Sequence, residues 1–117
     1  MCPHFPELPP LSAGETHWLF CYGTLREAGT QHRVFGRLVG GLRDALDDFE
    51  LGEIGIEGRQ YPALRPGGSG RVDGWVLRLT EEDLAKADAY ETAAYRRIEV
   101  RLVSGHLAFV YVAADAP

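Results

Sequence analysis

Glycine spacing is what most restricts the fold open to this chain. Fourteen of its 117 residues are glycine, and in RLVGGLRDALDDFELGEIG, Arg37 to Gly55, Gly41, Gly52 and Gly55 separate short apolar groups. Each glycine weakens a helix interior by roughly 0.5–1 kcal/mol relative to alanine, whereas a strand accepts one at a bend or bulge. The pattern therefore predicts two bent strands joined by a turn, with a helix over Leu42 to Phe49 as the alternative.

The other segments point the same way. HWLFCY, His17 to Tyr22, reads as a buried strand, followed by a short helical turn around Gln31 to Phe35. QYPALRPGGSGRVDGWVLRL predicts a short extended piece, a turn at Pro66 to Gly70 and a strand from Val72, together a hairpin signature. The clearest helix is TEEDLAKADAYE, where Thr80 caps the N-terminus, Asp83 completes a capping box and acids fill the positive first turn. It is expected to run from Glu81 to Tyr90 or Glu91. Two strands follow, YRRIEVRLV and HLAFVYVA, separated by Ser104 and Gly105 at a tight turn. Several bent strands with one good helix predict an α+β fold: a small, mixed, partly closed β-barrel with the helix packed beside it, because closure removes exposed sheet edges. Residues 1–17, rich in proline and without periodicity, read as an irregular arm ahead of a domain over 18–117.

A net charge of −5 disfavours nucleic acid, whose phosphates need clustered cations. No apolar run approaches the ~20 residues of a membrane span, and the first residues lack the basic start and apolar middle of a signal peptide, so a cytoplasmic protein with no membrane partner is expected. Cys2 and Cys21 suggest neither a disulfide framework nor a metal site. Cys21 reads as a small core residue rather than a thiol working with His17 or His32.

Two places invite chemistry. In LFCYGTLREAG, Leu19 to Gly29, a strand breaks into a glycine-containing turn, whose backbone N–H groups suit an anionic or carbonyl oxygen. In the helix, Glu91 lies seven positions after Leu84 and so on the apolar face with Ala87 and Asp88, at the negative end of the helix dipole. Burial and dipole together should raise its pKa toward the range of a general base. The alternative is that Glu91 pairs with Arg96 or Arg97 or points into water. Asp88 is a secondary candidate, expected to orient a neighbour or help end the helix.

YGTLR, Tyr22 to Arg26, and ADAYETAAYRR, Ala87 to Arg97, taken in this order together resemble the γ-glutamylcyclotransferase-like (AIG2-like) superfamily. YPALRPGGSGRVDGWVLRL and FVYVA resemble its supporting segments, so the likeness covers Trp18 to about Ala113. The resemblance implies a small mixed barrel whose cavity is bordered by the YGTL loop and a glutamate matching Glu91. It also implies that N–H groups of Gly23, Thr24 and Leu25 hold a γ-glutamyl group while Tyr22 shapes the cavity wall. Glu91 would then take a proton from the substrate's α-amino group, the freed nitrogen would attack the γ-carbonyl, and 5-oxoproline would leave with no metal or organic cofactor involved.

The implied partner is a small γ-glutamyl amine or amino acid. A noncatalytic binding module for a small carboxylate or a protein partner is the competing possibility. The chain departs from the family pattern where an Asn is common after the loop, here Gln31 and His32, and where Ala87 replaces the usual Leu before Asp88. Arg26, His32, Tyr61 and Tyr111 are further candidates for substrate contact. Trp18 and Trp75 are expected to fill core or lie across barrel ends, and Arg96, Arg97 and Arg101 to form a solvated strand face. Oligomeric state is not legible in the sequence.

Overall fold

The structure is a computed structural model that describes residues 15–115. The element order is β1 (Glu15–Cys21), a single 3₁₀ turn (Thr24–Arg26), α1 (Ala28–Phe35), β2 (Gly41–Ile56), β3 (Arg59–Thr80), α2 (Glu81–Glu91), β4 (Tyr95–Arg101) and β5 (Leu107–Ala113). The first strand starts at Glu15, ahead of the expected Trp18. Most of the predicted N-terminal arm lies outside the described residues.

The five strands form one mixed sheet in the order β2-β3-β1-β5-β4, with an additional pairing of β3 to β5. β1 runs antiparallel to β3 and parallel to β5, meeting the latter at Leu19 and Phe109. Because β3 also reaches β5 at Leu64 and Val112, the sheet curls into the expected half-barrel. Its inner face packs Phe20, Leu46, Leu64, Val76, Val110 and Val112, while the outer face, with Leu19, Cys21, Leu77 and Leu79, packs under Leu84 and Ala87 of α2 and Phe35 of α1. Successive residues of β1 thus enter opposite cores, which explains why its sequence shows no alternation.

The middle of the chain differs from expectation. Arg37 to Gly55 gives neither two strands nor a helix: β2 is one strand of 16 residues, and β3 is one of 22. The hairpin turn between them is Glu57–Gly58, both at positive φ (49° and 80°), as a two-residue I′ turn requires. Pro66 to Gly70 is a bulge instead. Between the pairs Asp47↔Arg71 and Phe49↔Pro66, β2 contributes only Asp48 while β3 contributes residues 67–70. Asp48, Gly67 and Gly68 all take positive φ there. The same punctuation residues serve a turn or a bulge, and here they bend a continuous hairpin around the barrel. The expected short turn at Gln31 is the full helix α1, and α2 matches its predicted bounds, with both hydrogen bonds of the Thr80–Asp83 capping box formed. Asp83 is also held by Arg37 at 2.6 and 2.9 Å, which keeps its carboxyl down at about 2.

Trp18 packs against the inner core as expected, but Trp75 is 40% exposed beside the α1 end of the sheet. Arg97 is likewise no simple surface cation, since it lies 4.7 Å over the Phe109 ring and pairs with Asp88. Among the described residues, no helix is long and apolar enough to cross a membrane.

Gly74 is required by proximity. A Cβ there would lie 2.4 Å from the Cys21 carbonyl oxygen and 2.7 Å from the Phe20 ring, whereas one on Gly29 in α1 would meet nothing within 4 Å. Gly74→Ala is expected to lower stability by about 1–3 kcal/mol, the usual penalty of overpacking. Gly29→Ala should leave stability unchanged or slightly raised. Urea unfolding of the two variants checks the contrast, and equal stabilities would refute the close approach.

Candidate active site

β1 ends by delivering Tyr22 and Gly23 to the barrel mouth. The 3₁₀ turn that follows is closed by Arg26 N–H to the Gly23 carbonyl at 3.2 Å and Glu27 N–H to the Thr24 carbonyl at 2.9 Å. A turn of this kind satisfies its later amides but leaves its first N–H groups, those of Gly23, Thr24 and Leu25, with no acceptor inside it. The turn is anchored from below. Leu25 is buried in the outer core, and the buried Gln31 donates from Nε2 to the Leu25 carbonyl (3.0 Å) while its Oε1 accepts from Val39 N–H (2.9 Å). Thr24 Oγ1 shares a 2.6 Å hydrogen bond with the Tyr90 hydroxyl, tying the turn to α2.

Gly23 does not use the left-handed backbone that a glycine turn allows. Its φ is −119°, and a Cβ built on it would meet nothing within 4 Å. What the glycine supplies is therefore open space rather than conformational freedom.

Facing the turn across one pocket is Glu91, the last residue of α2. The turn and Glu91 share this pocket with Pro62 of β3, Tyr95 of β4 and Tyr111 of β5, over a floor of Phe20 and Cys21. Its empty space is about 450 Å³, part of it open to solvent. Helix α2 stops directly after Glu91 because Thr92 takes φ 64° and ψ −175°, a region almost reserved for glycine, while its N–H still bonds the Asp88 carbonyl at 3.1 Å. The sequence thus places Glu91 at the helix end, on the buried side, and opposite the YGTL turn.

Of the alternative partners named for Glu91, Arg97 does not pair with it. Arg97 binds Asp88 instead, Nε to Oδ1 at 3.1 Å, and Asp88 also accepts from the Tyr111 hydroxyl at 2.6 Å. No ion pair reaches Glu91 among the described residues, and desolvation by burial pushes its carboxyl up to about 7. Burial, not an opposing charge, sets this acid apart. The same burial pushes the Cys21 thiol up, with the Glu91 charge adding to it, so Cys21 is a protonated core residue that donates weakly to the Leu19 carbonyl at 3.8 Å.

Tyr22 lines the pocket and does more. Its hydroxyl donates to the Tyr111 carbonyl at 2.8 Å and accepts from Leu64 N–H at 3.2 Å, bridging β5 and β3. Tyr95 donates to the Pro62 carbonyl at 2.8 Å, and burial pushes its phenol up to about 12. Of the other candidates, Tyr111 is fixed on Asp88, Arg26 turns back to the Gly23 carbonyl at 3.0 Å, and His32 is exposed on α1. Gln31, Tyr90 and Tyr95 are the contributors that sequence reasoning did not assign. Tyr95 stood within the ADAYETAAYRR segment that carries the resemblance, but nothing local marked Gln31 as a brace.

Residues 19–117 match the family model described as gamma-glutamyl cyclotransferase, AIG2-like. The chain is 31% identical over 94 residues to AIG2-like protein C of Arabidopsis thaliana, an alignment covering 80% of this chain and 54% of that protein. It therefore spans about half the length of that relative. Two solution structures of Arabidopsis thaliana proteins share the fold. One has a TM-score of 0.73 at 24% identity, over 86% of this chain and 70% of that one. The other has a TM-score of 0.70 at 22% identity, over 85% and 62%.

The raised pKa of the half-buried Glu91 carboxyl bears on stability. Folded Glu91 keeps its proton to about pH 7, whereas its ordinary value is 4.5. Between those limits the folded state binds more protons than the unfolded one, so the contribution of Glu91 to stability is lost as pH rises. Glu91→Gln carries no such group. Urea midpoints of the two proteins at about pH 5 and about pH 8 should shift in favour of the variant as pH rises. A constant gap would mean that Glu91 ionises as freely as an exposed acid.

Proposed function

The chain belongs to the gamma-glutamyl cyclotransferase, AIG2-like family, and from that premise we propose that it cyclises the γ-glutamyl group of a small γ-glutamyl amine or amino acid to 5-oxoproline, releasing the free amine. The observation that carries this proposal is a desolvated carboxyl, Glu91, with no ion pair among the described residues, sharing one pocket with a turn whose first N–H groups have no acceptor inside it. A base with a pKa near the working pH both accepts and returns a proton readily.

The γ-carbonyl oxygen would lie against the N–H groups of Gly23, Thr24 and Leu25, and the α-ammonium against Glu91. Glu91 takes one proton from the ammonium, and the nitrogen's lone pair attacks the γ-carbonyl carbon to close a five-membered ring. Negative charge gathers on the carbonyl oxygen, where fixed backbone donors stabilise it more than they stabilise the neutral carbonyl. The bond to the leaving nitrogen then breaks. The attacking nitrogen loses two protons in all, ending as a lactam N–H, and the departing amine ends with both as an ammonium. Glu91 moves them one at a time and is regenerated. Ring closure is intramolecular, so holding the substrate folded supplies much of the acceleration.

Glu91→Gln keeps the shape and cannot act as a base. With a panel of γ-glutamyl amines and amino acids, its turnover should fall by ~10²- to 10⁴-fold while binding and fold persist. In the wild type, kcat/KM should rise as pH passes through about 7, where Glu91 becomes ionised. Gly23→Val should weaken substrate binding far more than Thr24→Ser, because the added side chain fills space that the structure leaves open. Normal turnover in Glu91→Gln would remove the base from this mechanism. Substrate binding by the wild type without any 5-oxoproline would favour a noncatalytic binding module.

A further inference from the structure

Two depressions share one wall. Tyr95 of β4 and Tyr111 of β5 line both the pocket that holds Glu91 and a second depression that holds Asp88, Arg97 and Phe109. Of the two, Glu91 lines only the first and Arg97 only the second. In the second, Asp88 holds three groups at once. Its carboxyl oxygens accept from Arg97, Nε at 3.1 Å and Nη2 at 3.2 Å, and from the Tyr111 hydroxyl at 2.6 Å, while its backbone carbonyl accepts from Thr92 N–H at 3.1 Å. Arg97 is also seated 4.7 Å over the Phe109 ring. One acid thus fixes a cation and a ring of the shared wall.

Asp88 and Glu91 are three residues apart on α2, a spacing that makes side chains neighbours on the helix surface, with Cβ atoms about 5–6 Å apart. A guanidinium held at the first is one side-chain position from the second. The other charges nearby are directed elsewhere. Arg96 faces the opposite side of β4 from Arg97, and Arg26 turns back on the Gly23 carbonyl and lines the groove beyond Tyr22. Around Glu91 itself, Cys21 at the end of β1, Tyr22 after it, Tyr95 and Tyr111 are all pushed up by burial and so uncharged at pH 7. The Tyr61 and Tyr90 phenols complete the surroundings from β3 and α2. The placement of Arg97 is what bears on the charge of Glu91.

We propose that Asp88 is a positioning residue for the reaction: by engaging Arg97 and the Tyr111 hydroxyl in the outer depression, it keeps the guanidinium off Glu91 and leaves that carboxylate free to take the substrate's ammonium proton. This rests on the role of base given to Glu91 above. Asp88 touches no reacting atom and acts through where it holds Arg97. A guanidinium on Glu91 would stabilise its charged form and occupy the oxygens that the α-ammonium needs.

The test is the charge pattern of three variants. Asp88→Asn can still accept from Tyr111 but removes the anion opposite Arg97. The acid limb of kcat/KM should move down by about one pH unit, the low end of what an opposite charge does, and kcat above that limb should fall severalfold with little change in KM, as a weaker base requires. The double variant Asp88→Asn, Arg97→Gln loses both charges and should return the limb toward its wild-type midpoint. Arg97→Gln alone leaves the Asp88 charge without its cation and should move the limb upward, which keeps the test decisive if Asp88→Asn fails to fold. A merely structural role would lower activity without moving the midpoint, and a second substitution would not reverse the loss.

The ionisation of Glu91 is also measured without turnover, through its side-chain carboxyl carbon NMR signal, identified by its loss in Glu91→Gln. That midpoint should move in the same directions: down in Asp88→Asn, back in the double variant, up in Arg97→Gln. A midpoint unmoved in all three would overturn the proposal and leave the role of Glu91 as base, which Glu91→Gln tests, intact. Midpoints that move as expected, in a protein that yields no 5-oxoproline from any γ-glutamyl substrate, would overturn the base and the proposal together.

Discussion

The Tyr22 hydroxyl is the contact on which the pocket depends. It lies where β3 returns to β5, donating to the Tyr111 carbonyl and accepting from Leu64 N–H. The strands pair there at Leu64 and Val112, so the ladder contributes little by itself. A phenol that satisfies both strands at the seam lets the sheet curl without leaving a buried amide unpaired. The pocket walls come from four strands or their ends: the turn after β1, Pro62 on β3, Tyr95 on β4 and Tyr111 on β5. Opening the seam would separate them. Burial pushes the Tyr22 phenol well above its ordinary range, which keeps its proton available for the Tyr111 carbonyl.

The parts of the fold legible in sequence are those whose causes are local. Helix α2 was readable to its ends because Thr80 and Asp83 cap each other and the apolar positions follow a helical period. Strands β1 and β5 were readable from their apolar runs, and β4 from its aromatic and β-branched residues ahead of the Ser104–Gly105 turn. The long hairpin was not, since Pro66–Gly70 carries turn chemistry that only the partner strand identifies as a bulge. Its real turn, Glu57–Gly58, is a weaker signal than Asn–Gly or Asp–Gly. Trp75 reads as core by residue type, and its exposure follows from a register that sends Val72, Gly74 and Val76 inward.

The site divides along the same line. The turn and Glu91 are sequence features because each sits at the end of a regular element. Their meeting is a property of the sheet order, which brings β1 beside β5 and lays α2 over both. Gln31 was not read as a brace because a buried amide bracing a carbonyl and an N–H eight residues away in the chain has no periodic signature. The bond between Thr24 and Tyr90 spans 66 residues and has none either.

Four acids differ in how they are held, and three have partners: Asp44 and Asp83 are buried, Asp88 is exposed and Glu91 is half-buried. Asp44, 2% exposed, accepts from Ser104 Oγ at 2.5 Å and from the Ala45 and Ser104 amides. Asp83 holds Arg37 and caps α2, and Asp88 holds Arg97 and the Tyr111 hydroxyl. Each of the three is placed by hydrogen bonds. Glu91 stands one turn beyond Asp88, and Arg97 is bonded to Asp88 rather than to it. An acid used only for packing would be better replaced by an apolar residue of similar volume, since desolvating a carboxyl brings no compensating bond. The partnered Asp88 also keeps Arg97 away from the pocket. In the proposed reaction, a cation beside Glu91 would pull its pKa back down and leave it too weak a base for an ammonium at neutral pH. The ion pair one turn away is therefore part of what sets the chemistry open to Glu91.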